Sequence, residues 1–159
     1  MWFTTKLHQE DLGVRLTRGA DYGTRGMIHL AKMPPTAVTL VGSIASAEGL
    51  PESYLAKIFQ DLAKEGILRS HRGAKGGFSL ARPPSEITLK DIIEAIEGPI
   101  ALNRCLAASE GCERRAFCGL HPILAKAQEE LVDILSMTTL QDLIDNEELV
   151  SPGVASHSG

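Results

Sequence analysis

A mainly α-helical fold bearing one small β-hairpin is predicted by three features of this sequence of 159 residues. Apolar side chains recur at i, i+3, i+4 and i+7 over several segments, the spacing of helices with one buried face. Two helical segments are joined by a tight turn at Glu48-Gly49-Leu50. A hairpin rich in glycine and basic residues, Arg72–Gly77, follows directly. Helix, glycine turn, amphipathic helix and basic hairpin together read as a winged helix-turn-helix domain. A further apolar helix beyond it reads as a long dimerisation helix. The expected divisions are a disordered leader (1–14), the winged domain (15–98), a cysteine loop (99–121), the dimerisation helix with a short C-terminal helix (122–146) and a flexible tail (147–159).

The first helix is expected from Thr17, a good N-cap, to about Lys32, with Ala20, Met27, Leu30 and Ala31 at helical spacing. Gly19, Gly23 and Gly26 each cost it about 1 kcal/mol relative to alanine, a cost that close approach of another helix would offset. Asp21 stands in the first turn, where a carboxylate suits the positive end of the helix dipole. Met33-Pro34-Pro35 ends the helix. A short helix over Leu40–Ala47 follows, then one over Pro51–Lys64 with proline expected at its first helical position. Leu55, Ile58, Phe59 and Leu62 form its buried stripe, and Ser53, Lys57, Gln60 and Lys64 lie opposite. Gly66–Ser70 ends that helix at a glycine and begins a short strand, and Phe78–Leu80 is the returning strand of the hairpin.

Thr88 and Asp91 have the spacing of a capping box, opening a helix to Glu97 through Leu89, Ile92, Ile93 and Ile96. Gly98-Pro99 stops it. The long helix is expected over Pro122–Leu135, with Ile123, Leu124, Ala127, Leu131, Ile134 and Leu135 on one side and Gln128, Glu129, Glu130 and Asp133 facing outward. Such a face would pair with its copy in a two-fold dimer, which suits a palindromic operator. Thr138 or Thr139 caps a last helix over Leu140–Asn146.

Charge divides along the same boundary. The chain carries a formal charge of −4, yet residues 1–82 hold eleven Lys and Arg against seven Asp and Glu, while 83–159 hold five against thirteen. A basic module facing double-stranded DNA, joined to an acidic sensing module, would have this asymmetry. Ser53 and Lys57 on the second helix of the pair are the expected base-side contacts, with Tyr54 a further DNA-binding residue. Arg72, Lys75 and Gly76 of the hairpin are expected at the phosphate backbone or minor groove. The glycine-rich stretch lacks a Walker pattern and its strand–loop–helix setting, which excludes a nucleotide loop. No run of eighteen apolar residues is present, and the N-terminal segment lacks a signal-peptide core, so a cytoplasmic, membrane-free protein with reduced thiols is expected.

The cysteines concentrate the remaining chemistry. Six residues separate Cys105 from Cys112, five separate Cys112 from Cys118 and two separate Cys118 from His121. Gly111 and Gly119 permit sharp turns in this stretch. Incidental buried thiols, a disulfide and metal ligation compete for it; an odd cysteine count argues against the disulfide, and clustering with an imidazole favours metal. Zinc accepts three Cys and one His but usually has closer pairs. The wider gaps suit an iron–sulfur cluster, in which histidine can replace one thiolate. Arg104, Arg114 and Arg115 would offset the thiolate charge. A zinc-stabilised regulator and a thiol-dependent enzyme, with His71 or His121 as base, are the alternatives.

Taken together, R-L-T at Arg15–Thr17, S-Y-L at Ser53–Leu55, R-G-A-K-G-G-F-S-L at Arg72–Leu80, the run Ile87–Gly98 and the three-cysteine loop resemble the Rrf family of winged-helix iron–sulfur regulators (IscR-, NsrR- and RirA-like) over about Val14–Leu149. The resemblance implies a non-enzymatic homodimer on promoter DNA, sensing iron, redox or nitric oxide status through a cluster of two or four irons. It implies Cys105, Cys112 and Cys118 as ligands. His121 matches the fourth ligand of IscR-like members, and Asp21 matches the partner-subunit carboxylate of NsrR-like members; proximity in the loop favours His121. The Cys105–Cys112 gap is one residue longer than in IscR-like members, and Ala56 replaces an acidic residue of the reading helix.

Overall fold

The computed structural model describes residues 16–107 and 112–150. The expected leader, Gly111 and the tail from residue 151 lie outside the described residues. Six α-helices and one two-stranded antiparallel sheet are found among them: α1 Arg18–Ala31, α2 Val41–Glu48, α3 Glu52–Lys64, β1 Leu68–His71, β2 Gly77–Leu80, α4 Leu89–Glu97, α5 Leu120–Met137 and α6 Leu140–Val150. Mainly α with a β-wing, the fold is the one the sequence predicts.

Local signals fix most of the ends. The Thr17 hydroxyl accepts from Ala20 N at 3.2 Å to cap α1, and α2 ends on Gly49 in the left-handed conformation. Thr88 and Asp91 exchange both bonds of the capping box, at 3.0 and 3.1 Å. Pro51 differs from expectation: it is the N-cap of α3, with ψ at 117°, and Glu52 takes the first helical position. Thr139, not Thr138, caps α6; its hydroxyl accepts from Asp142 N. Hydrogen bonds from the Thr139 backbone N–H, then from its hydroxyl, hold the Asp142 carboxyl below its ordinary value.

One core unites α1, α2, α3, α4 and α6. Leu55, Ile58, Phe59 and Leu62 of α3 are buried with Met27, Leu30, Ile44 and Ile92; each such side chain contributes about 1.5–3 kcal/mol when removed from water. The α1 glycines are explained by neighbours. A Cβ at Gly23 would run into Ile96 and stand 3.0 Å from Ile58, and one at Gly26 would stand 2.9 Å from Phe59. Leu140 and Ile144 bury into this core, and Glu147 pairs with Lys32, the C-cap of α1. Thus α6 runs four residues past Asn146, where the sequence predicts a tail, because it packs back on α1.

The wing is anchored at its base. Strands β1 and β2 pair in the register Leu68↔Leu80 to His71↔Gly77, and Phe78 exchanges two 2.9 Å bonds with Thr39, just before α2. That exchange brings backbone against Gly77, whose φ is +150° and whose Cβ would overlap the Thr39 carbonyl. Strain of this kind costs about 1–3 kcal/mol. Gly77→Ala is therefore expected to lower stability by about that amount, read as a fall in urea midpoint; an unchanged midpoint would refute the anchoring role.

Candidate DNA interface and metal centre

Four polar side chains line the outer side of α3. Ser53, Lys57, Gln60 and Lys64 are exposed along one side of α3, opposite the buried stripe. Tyr54 is divided in role. It is 40 % exposed, its ring meets Tyr22 edge-on at 5.8 Å, and its hydroxyl lies where a Gly19 Cβ would come within 3.1 Å. Arg72 and Lys75 are exposed on the wing turn. Gly76 shapes that turn: its N–H donates to Gly73 O at 2.9 Å, and a Cβ there would stand 2.6 Å from His71 O. His71 bonds Ser79 Oγ across the hairpin at 2.8 Å.

The second site is formed by the segment that joins α4 to α5 and by the start of α5. Asn103, Arg104, Cys105, Cys112, Cys118, His121 and Leu124 are among the residues lining one open cavity of about 500 Å³. All three cysteines are free and half-buried. His121 differs from expectation: it lies in the first turn of α5 rather than in the loop. Pro122 is the third helical residue, where its missing N–H has no intrahelical partner to lose, so the helix starts ahead of it. The buried Nδ1 of His121 meets no hydrogen-bond partner among the described residues.

Arg104, Glu113 and Arg114 are the charged residues lining the cavity, and Cys118 directly precedes the N-cap of α5, Gly119, which supplies no side-chain cap. Among the described residues, no three His, Cys, Asp or Glu side chains close on one metal ion. They line a cavity instead. Three thiols and a buried imidazole nitrogen lacking a partner fit a cluster with four attachment sites. Asp21, the other candidate, is exposed in the first turn of α1.

Sequence reasoning missed the residues that hold the loop. Gln128, expected to face outward, accepts from Leu102 N through Oε1 at 2.9 Å. Glu94 accepts from Ile100 N at 3.2 Å, and the Asn103 side chain accepts from Arg104 N at 2.8 Å. Gln128 lies seven residues after His121, two helical turns along the same side of α5, and that spacing was the available signal. Among the described residues no helix is long and apolar enough to cross a membrane.

Comparison with known proteins gives concordant results. A family model described as an iron-dependent transcriptional regulator, Rrf2, matches residues 16–146. An HTH-type transcriptional regulator of Mycobacterium tuberculosis, Rv1287, is 31% identical over 130 residues, covering 82% of this chain and 81% of that protein. The structure of T. potens IscR superposes with a TM-score of 0.71 at 28% identity, covering 88% of this chain and 93% of that one. CymR, the global cysteine regulator of B. subtilis, does so with a TM-score of 0.67 at 32% identity, covering 84% and 98%.

Proposed function

The chain belongs to the Rrf2 family of transcriptional regulators, and we propose that it is a homodimeric repressor whose hold on promoter DNA is set by an iron–sulfur cluster. Cys105, Cys112 and Cys118 would hold the cluster together with His121 or Asp21 of the partner subunit. One observation carries this reading: three free thiols and His121 line a single cavity, and the buried His121 Nδ1 meets no hydrogen-bond partner among the described residues. Relatives of this fold include both an IscR and a cysteine regulator, so the donor set, not family membership, selects the cluster. His71, the other base considered for a thiol enzyme, is tied to Ser79 on the wing, and the relatives are regulators. On the DNA side, Ser53, Tyr54 and Lys57 would meet bases while Arg72, Lys75 and the Gly76 backbone meet phosphates.

When bound, the cluster would supply bonds that iron, oxidants or nitric oxide can alter. This chain's own residues carry the consequence. Gln128 and Glu94 tie the loop entrance to α5 and α4. The end of α4 meets the start of α1, where Thr17 donates to Glu97, and Ile96 lies against Gly19 and Gly23. Gly19 in turn abuts Tyr54 on the reading helix. A change in loop order thus reaches Tyr54 through four packed elements. Coupling of roughly 1–3 kcal/mol would alter operator affinity about 5- to 150-fold.

Protein purified without oxygen should show visible absorption with iron and acid-labile sulfide, and its affinity for its operator should change when the cluster is removed. A colourless protein bearing zinc would leave a zinc-stabilised regulator. Colour with no change in DNA affinity would defeat the sensing role.

A further inference from the structure

Between the last turns of α3 and strand β1 lies a second concavity of about 500 Å³, lined by Gln60, Ala63, Lys64, Ser70, Arg72 and Phe78. We propose that it seats one phosphate of the DNA backbone, adding Gln60, Lys64 and Ser70 to the phosphate contact assigned above to Arg72. The proposal rests on the DNA-binding reading and deepens it.

Three features carry it. Ser53, Lys57, Gln60 and Lys64 follow one another by four, three and four residues, so they form a single row along about 16 Å of α3, at 1.5 Å per residue. With the N-terminal part of that row against base edges, its far end reaches the edge of the groove, where the backbone passes. Next, the lining is uniform in kind. It offers the Lys64 ammonium, the Arg72 guanidinium, the Ser70 hydroxyl and the Gln60 amide over a Phe78 floor, and no carboxylate lines it. Asp61, the nearest acid in sequence, bonds Lys64 Nζ at 2.8 Å from outside the lining and holds that ammonium without closing the cavity. Finally, the seat joins two elements that the wing anchor keeps in register, since β1 pairs with β2 and β2 with Thr39. The carbonyl end of α3 opposes an anion; two cations outweigh it.

The test needs no known operator, because a phosphate contact is independent of sequence. Binding of a random-sequence duplex is followed against salt for the full-length protein. Removing one phosphate-binding cation should reduce the log–log slope by about 0.9, hence by about 1.8 for the two seats of a dimer. Lys64→Gln and Ser70→Asp should each show this fall, the second with the greater loss of affinity because it places an anion in the seat. Lys126→Gln removes the same charge from exposed α5 and should leave the slope alone. An unchanged slope in Lys64→Gln, or an equal fall in Lys126→Gln, would overturn the proposal while the DNA reading stands. Loss of inorganic-phosphate binding with an unchanged duplex slope would make it a free-anion pocket and overturn it equally. Failure of the wild-type protein to bind any duplex would instead sink the reading beneath it.

Discussion

Replacing Ile123 and Ile134 of α5 together by glutamate should turn a dimeric protein into a folded monomer and cut its operator affinity at least a hundredfold. The helix is 18 residues long, about 27 Å at 1.5 Å per residue, and none of its residues is buried in the single chain. Leu120 is 57 % exposed, Ile123 66 %, Ile134 59 % and Met137 73 %. An apolar stripe of that length, spaced 120, 123, 127, 134 and 137, is the surface that a second copy would cover in the proposed homodimer. Folding of the monomer should survive, because neither isoleucine belongs to the core around Met27 and Phe59. Two charges per subunit in the seam would each lose hydration without a partner, costing several kcal/mol per ion. DNA affinity falls with the dimer because two half-sites read by one particle gain roughly 10²–10⁴ over one. Light scattering and duplex binding, measured on the same samples, test both halves. A variant still dimeric at the wild-type concentration would remove α5 as the interface.

Where the structure agrees with the sequence, the deciding interactions are local. Thr17 caps α1, Thr88 and Asp91 close their box, and the α3 stripe is buried where its spacing places it. Each depends on residues within one or two turns. Disagreements mostly involve residues remote in sequence. The end of α6 is held by Lys32 and by burial of Leu140 and Ile144, none of it visible in the polar run Asp145–Glu148. Gln128 looks like a solvated position until Leu102, twenty-six residues away, is seen to donate to it. His121 reads as a loop residue because Pro122 reads as a helix's first residue, although proline fits anywhere in a first turn that lacks N–H partners. The cysteine cavity is half legible. Spacing identifies its thiols, but their lining of one cavity with His121 depends on how α5 packs beside the loop.

Changing any one of the three cysteines to serine should abolish the visible spectrum of anaerobically purified protein and fix DNA affinity at its cluster-free value. The fold should persist, since all three are half-exposed and outside the core. The fourth ligand allows a sharper test, because His121 predicts opposite signs in two states. Without a cluster, its buried Nδ1 lacks a partner among the described residues, and a buried polar atom of that kind costs about 1–3 kcal/mol. His121→Leu should therefore raise the stability of cluster-free protein by up to about that much. In loaded protein the same change removes a ligand and should accelerate cluster loss at least tenfold. Asp21→Ala should leave both quantities alone, because Asp21 is exposed on α1. Should Asp21→Ala speed cluster loss while His121→Leu does not, the carboxylate of the partner subunit is the ligand. The buried Nδ1 without a partner among the described residues would then be a packing cost that the helix start imposes, with no part in sensing.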